Sequence, residues 1–337
     1  MDMSTLNQSF YFSYTEFVML TFPGVSENRP LLILAFAFVY LASLMCNSLV
    51  SYTVALEKSL HTPMYVLIVL LLSLNIACTT TVMPKMLITL HGYTHISLAS
   101  CLVQMFFVYV TVTLKSVALV LMALDRYIAI CMPLRYHKIA NKYLFLQLLL
   151  LGLLRNCVLT TLVVVLASNI KYCKSNLILT FVCEYVVLLG LGCGDISKLQ
   201  VVGLTLRTVI TAFDLGILLG SYIKVLHAAM KIAAGGTRQK ALHTCFTHLL
   251  VAVVIYAFGL STSIMYKVEK YISHDAQNLY SAIYFLLPAT VNPIIYGLRV
   301  KEIKSFMMRR HCVKYRFLTK KTVVSVLPEG GRTQEEP

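Results

Sequence analysis

The sequence predicts an all-α protein: a seven-transmembrane helix bundle followed by a short amphipathic helix on the membrane surface. Three observations predict it. The 337 residues are 58% hydrophobic and only 13% charged, too few polar side chains to cover a water-soluble globule of this size. Apolar stretches of the roughly 20 residues that a bilayer core demands recur seven times, at 31–55, 64–90, 101–125, 143–167, 200–226, 243–266 and 279–298. Lys and Arg divide unevenly between the two sets of connections: with the N-terminus outside, the inner loops and tail carry 18 and the outer segments 6. That bias predicts an extracellular N-terminus. It also assigns the formal charge of +15 to inner loops facing anionic membrane lipid, which argues against a nucleic-acid partner.

The chain accordingly divides into an extracellular tail at 1–30, the bundle at 31–298, the membrane-surface helix at 299–316 and a cytoplasmic tail at 317–337. The first thirty residues lack the basic start, sustained apolar core and small-residue cleavage site of a signal peptide, so the first span is expected to direct insertion. Asn7-Gln8-Ser9 is a glycosylation sequon on the expected outer side. Polar residues interrupt spans two, three and five; Asn75 lies in the second and Lys115 in the third.

Span three ends in the run Met122-Ala-Leu-Asp-Arg-Tyr-Ile-Ala-Ile-Cys-Met-Pro-Leu-Arg-Tyr136, which puts an acid, a base and an aromatic at the inner end of an apolar helix. Steps of three or four place Val108, Val112, Lys115, Leu119, Met122 and Arg126 on one stripe, so Lys115 and Arg126 share the inward face. An Arg beside an acid can be held in one state and released toward a partner in another, a two-state element that a ligand can bias. The plainer alternative is an arginine snorkelling from a helix end.

Span four carries Arg155, and span five carries Arg207 and Asp214. The latter two lie two turns apart, about 10.5 Å of rise, too far for easy contact, so Asp214 is expected to pair with another helix. Arg155 is either that partner or a side chain reaching for lipid head groups. Span six contains His243, Thr244 and His248 on its inner half; the i, i+5 spacing of the two histidines suits one metal poorly, and no metal or other cofactor is expected. In span seven, Asn292-Pro293-Ile-Ile-Tyr296 places a proline where it removes a backbone hydrogen bond and leaves a bendable point.

Behind that span, Lys301–Arg316 alternates apolar and basic residues as an amphipathic helix does. Cys312 beside this basic patch is a candidate for palmitoylation or an unmodified thiol. Thr319, Thr322 and Ser325 are candidate phosphorylation sites in the tail. Four cysteines, Cys101, Cys173, Cys183 and Cys193, fall on the expected oxidising side, where disulfides are favoured, and the sequence leaves three pairings open. Cys46, Cys78, Cys131, Cys157 and Cys245 read as reduced, packed thiols.

Taken together, several short motifs resemble an odorant receptor of the rhodopsin-like G-protein-coupled family. They are Pro63-Met-Tyr65, Met83-Pro-Lys-Met-Leu87, the Met122–Tyr136 run, Ser221-Tyr222, Lys240-Ala-Leu-His-Thr-Cys-Phe-Thr-His-Leu249 and Asn292-Pro-Ile-Ile-Tyr296, in order and on the matching spans over 7–310. The resemblance implies the pairing Cys101 to Cys183 and suggests a second bridge, Cys173 to Cys193, together pinning an outer loop as a lid. It implies an activation switch built from Asp125, Arg126, Tyr127, Tyr222, His248, Asn292, Pro293 and Tyr296, with Tyr222 and Tyr296 moving together against Arg126. Tyr256 stands where many rhodopsin-like receptors carry Trp, and span six has no proline, as in odorant receptors. The outer-loop cysteine spacing is similar to that of the fish-like branch that detects water-soluble odorants.

Two positions depart from the family pattern. Odorant receptors usually have Asp at the position of Asn75 and Glu at that of Lys115, acids that resemble a sodium-binding pair. With both gone, either the Lys115 ammonium replaces the ion or the lysine is packed and uncharged.

The resemblance implies a small-molecule odorant as ligand, a heterotrimeric G protein of stimulatory type as partner, cyclic AMP as output, the plasma membrane as location and a trafficking accessory protein as a further partner. Arg207 or Lys267 is the expected counter-charge for a small organic anion, with Tyr109, Val112, Thr113, Thr211, Tyr256 and Ser263 as the wall. The alternative for Lys267 is a solvated loop charge beside Glu269 and Lys270, and the wall positions read equally as core packing. A transporter would show repeated halves or broken spans, and neither is visible. A retinal protein would need a lysine in span seven, where 279–298 has none. No nucleophile, base and orienting group converge, which argues against an enzyme. A lipid, hormone or peptide receptor of the same superfamily is the remaining alternative.

Overall fold

A computed structural model describes residues 13–25, 28–231, 236–267, 272–306 and 308–309. Asn7, Cys312, Thr319, Thr322 and Ser325 lie outside the described residues, as do the side chains of Ser263 and Lys267. The long helices are α1 (Arg29–Leu56), α2 (Pro63–Leu90), α3 (Leu98–Cys131), α5 (Lys142–Ser168), α7 (Ser197–Lys231), α8 (Gly236–Lys267) and α9 (His274–Arg299). Two short ones, α4 (Tyr136–Ile139) and α6 (Tyr185–Leu191), lie in the connections, and residues 301–306 are again helical.

Local chemistry sets the starts. Pro30 and Pro63 occupy the first turns of α1 and α2, where their missing N–H is no loss. Ser97, Asn141 and Ser273 cap α3, α5 and α9, their side-chain oxygens accepting from the amides of Ser100, Leu144 and Ala276 at 3.2, 2.7 and 3.3 Å.

Six of the long helices are long and apolar enough to cross a membrane; α8 contributes the shorter apolar stretch Cys245–Ala257 within its length. The apolar residues left exposed run along single faces: Leu31, Leu34, Phe38, Leu41 and Met45 on α1, and Leu146, Leu150, Leu154 and Val158 on α5. Such stripes would be a liability in water and are expected of a surface solvated by lipid tails. The inward faces build a core from Ile68, Leu71, Leu119, Met122, Tyr222 and Tyr296.

The end of the bundle that carries the N-terminal segment is closed by a three-stranded sheet that the sequence reading did not anticipate. Strand β1 (Glu16–Met19) pairs antiparallel with β2 (His95–Ser97) and parallel with β3 (Leu177–Ile178), with Phe17 opposite Ile96 and Met19 opposite Ile178. Phe17 and Met19 are completely buried, and Phe17 meets Tyr172 edge-on at 5.4 Å. Phe22 follows at φ 51°, a left-handed conformation rare for a bulky residue, held by burial against Val82, Met86 and Phe285.

Both disulfides are present: Cys101–Cys183 anchors the 169–196 connection to the start of α3, and Cys173–Cys193 ties that connection to itself, with Cα atoms 5.4 and 5.7 Å apart. The five other described cysteines are free thiols.

Candidate functional site

Below the sheet, a cavity of about 440 Å³ opens between α3, α5, α6, α7, α8 and α9. Its size suits a small molecule. Six of the eight positions expected to line a pocket do so: Tyr109, Val112, Thr113, Arg207, Thr211 and Tyr256. Thr113 turns its hydroxyl back to the Tyr109 carbonyl at 2.7 Å, leaving its methyl to the wall. Tyr109 accepts from the Tyr185 amide at 2.9 Å, which fixes the loop helix α6 over α3.

Arg207 lines the cavity and donates to the Gly259 carbonyl at 2.6 Å, linking α7 to α8. Glu184, 8% exposed, lines the same space. The cavity therefore presents charges of both signs. Glu184 escaped the sequence reading although it directly follows Cys183, whose bridge to α3 delivers it there.

The opposite end of the cavity carries a polar cluster. Arg155 on α5 grips Asp214 on α7 with two hydrogen bonds of 2.7 and 3.0 Å, a forked ion pair in which Asp214 is almost wholly buried. This resolves the two readings of Arg155 in favour of the partner. Ser116, on α3, donates to Asp214 at 2.8 Å and is hydrogen-bonded to the Tyr256 hydroxyl. Ser116 has one proton and gives it to the carboxylate, so Tyr256 is the donor in the second contact. Ser116 and Asn156 were not foreseen, although each sits beside a charged residue in an apolar span, which was the available signal.

At the other end of the bundle, Arg126 pairs with Asp125 at 3.0 Å and also contacts the Met64 sulfur. Asp125 is fully buried and accepts from the Tyr136 hydroxyl at 3.0 Å. Burial, reinforced by the negative Asp125, pushes the Tyr136 phenol up to about 12, so it remains a donor at neutral pH. Lys224 Nζ lies 5.8 Å from the Tyr127 ring.

The Tyr296 hydroxyl meets His248 Nδ1 at 3.4 Å and the Met122 sulfur at 3.9 Å. The Tyr222 hydroxyl and both side-chain polar atoms of Asn292 are buried without a hydrogen-bond partner among the described residues. No hydrogen bond joins Arg126 to Tyr222 or Tyr296 among the described residues. Pro293 lies inside α9.

Between the two ends, Asn75 donates to Asn47 at 3.3 Å, and Asn47 donates to the Ala289 carbonyl at 2.7 Å. This amide chain joins α2, α1 and α9. Lys115 is 4% exposed, on the inward face as the stripe requires.

A family model described as Olfactory receptor matches residues 36–314. The chain is similar to Olfactory receptor 52K1 of Homo sapiens, 30% identical over 293 residues that cover 87% of this chain and 93% of that protein. It is similar to Olfactory receptor 11A1 of Homo sapiens, 32% identical over 302 residues, 89% of this chain and 95% of the relative. Olfactory receptor 56B34 of Mus musculus is 32% identical over 291 residues, 86% and 90% of the two chains. With six of the seven long helices and most of α1 inside the matched length, and relatives aligned over nearly their full length at this identity, the chain belongs to the olfactory receptor family, multi-pass membrane proteins of the rhodopsin-like G-protein-coupled class.

Proposed function

We propose that the protein binds a small odorant in the 440 Å³ cavity and activates a stimulatory heterotrimeric G protein, with cyclic AMP as output. The observation that carries this reading is the cavity itself, lined by helices α3, α7 and α8, one of which ends in the Asp125–Arg126 pair. Asp125, Arg126 and Tyr127 form the switch, with Tyr222, His248, Asn292, Pro293 and Tyr296 rearranging around Arg126 as α8 and α9 move. Asn75 and Lys115 form the polar core that both ends share. The N-terminal face points out of the cell at the plasma membrane, the helical residues 301–306 lie on the inner leaflet, and an accessory protein assists delivery.

The ligand carries an acceptor toward Arg207, and a carboxylate is the strongest such group for a guanidinium. Glu184 in the same lining selects against a second negative charge. The test is cyclic AMP in cells with matched surface receptor, exposed to pools of small acids, amines and neutral odorants, beside an Arg126→Ala control. Arg207→Glu should weaken acidic agonists by about tenfold or more, as expected for loss of a charged hydrogen bond. Unchanged potency of every acid would remove Arg207 from the ligand's contacts, and signalling that survives Arg126→Ala would remove the switch.

A further inference from the structure

One donor at the polar end of the cavity has no acceptor among the described residues. Asn156 lines the cavity, is 2% exposed, and its Nδ2 has no hydrogen-bond partner among the described residues. The orientation of its amide is set by its neighbour: Arg155 Nε donates to Asn156 Oδ1 at 3.2 Å, so the NH2 group must face away from that guanidinium. The same guanidinium holds both oxygens of Asp214. One arginine thus holds the Asn156 amide and the Asp214 carboxylate, and both residues line the same cavity.

Asp214 accepts three hydrogen bonds, two on Oδ2 from Arg155 and Ser116 and one on Oδ1 from Arg155. A carboxylate has about four acceptor positions, so one on Oδ1 is left.

We propose that Asn156 and Asp214 form a subsite for a hydroxyl group of the ligand, accepting from Asn156 Nδ2 and donating to Asp214. Other polar groups match less well. A carboxylate would face Asp214, an ammonium has no lone pair for Asn156, and a carbonyl or ether cannot donate to the open acceptor. The inference rests on the cavity being the odorant site and deepens it. The ligand is a small alcohol, and where it also carries an acid, the two groups are separated by about two helical turns, the spacing of Arg207 and Asp214 along α7. Binding there places the hydroxyl beside Ser116, whose other contact is Tyr256 on α8, so the subsite reports directly to a moving helix.

The test uses thermal unfolding of the purified full-length receptor, which does not depend on G-protein choice. The probes are isomeric alcohol and methyl-ether pairs of about four to ten carbons, a size the cavity admits, such as hexan-1-ol against 1-methoxypentane. Pools of carboxylic acids, amines and ketones run beside them. At least one alcohol should bind about tenfold more tightly than its ether isomer, and Asn156→Leu should erase that difference while the receptor retains its acid or ketone binding. Alcohols and ethers acting alike, in a receptor stabilised by any other pool, overturn the subsite alone. No shift with any probe of any class overturns the cavity as the odorant site, and the subsite with it.

Discussion

Asp125 is fully buried and divides its two oxygens between Arg126 and Tyr136. Removing one partner weakens its hold on the conformation that keeps Arg126 in place. Tyr136→Phe deletes a hydrogen bond to a charged group, an effect of about 1.5–3 kcal/mol. Basal cyclic AMP at matched surface level should rise several-fold in this variant and remain at background when Arg126→Ala is added. Tyr136 closes the Met122–Tyr136 run, but its contact with Asp125 was not legible there because it lies beyond α3, and only the turn at 133–135 folds it back onto Asp125. The Arg155–Asp214 pair illustrates the same limit. Two unmatched charges in neighbouring spans were visible, but their meeting depends on the rotation of α5 and α7 about their axes, which apolar periodicity near uniform along a lipid-facing helix does not encode.

At the scale of elements, the seven helices were legible because a bilayer demands an apolar length and the sequence supplies it seven times. Each observed long helix exceeds its expected span, narrowly at 63–90 against 64–90 and by more at 98–131 against 101–125, since polar and capping residues extend the helix beyond the apolar window. Strand β1 was not legible. Glu16-Phe-Val-Met19 is too short to establish a period of two, and its strand character comes from partners at 95–97 and 177–178 that no local pattern announces. Its anchor is Phe17, wholly buried against Tyr172 and Cys101. Phe17→Ala should lower stability by about 3–5 kcal/mol, the usual cost of truncating a buried phenylalanine. A lower unfolding midpoint of the purified receptor with unchanged odorant affinity is expected, because Phe17 does not line the cavity.

For the whole molecule, charge asymmetry and the cavity make one statement about direction: the cavity lies near the sheet-capped end and the basic connections crowd the other. An epitope fused to residue 1 should stain intact cells and one fused to residue 337 only permeabilised cells; the reverse pattern would invert the proposed orientation. The sheet also constrains how the chain is made. Residues 16–19 emerge first, yet their parallel partner at 177–178 appears only after four spans have been synthesised. Until then Phe17 and Met19 have only β2 and the start of α3 to pack on, and such delayed long-range pairing is slow and exposes sticky surface. The nascent protein therefore leaves its two most thoroughly buried N-terminal side chains bare for the longest time, which makes the first strand the natural place for quality control to hold or discard it.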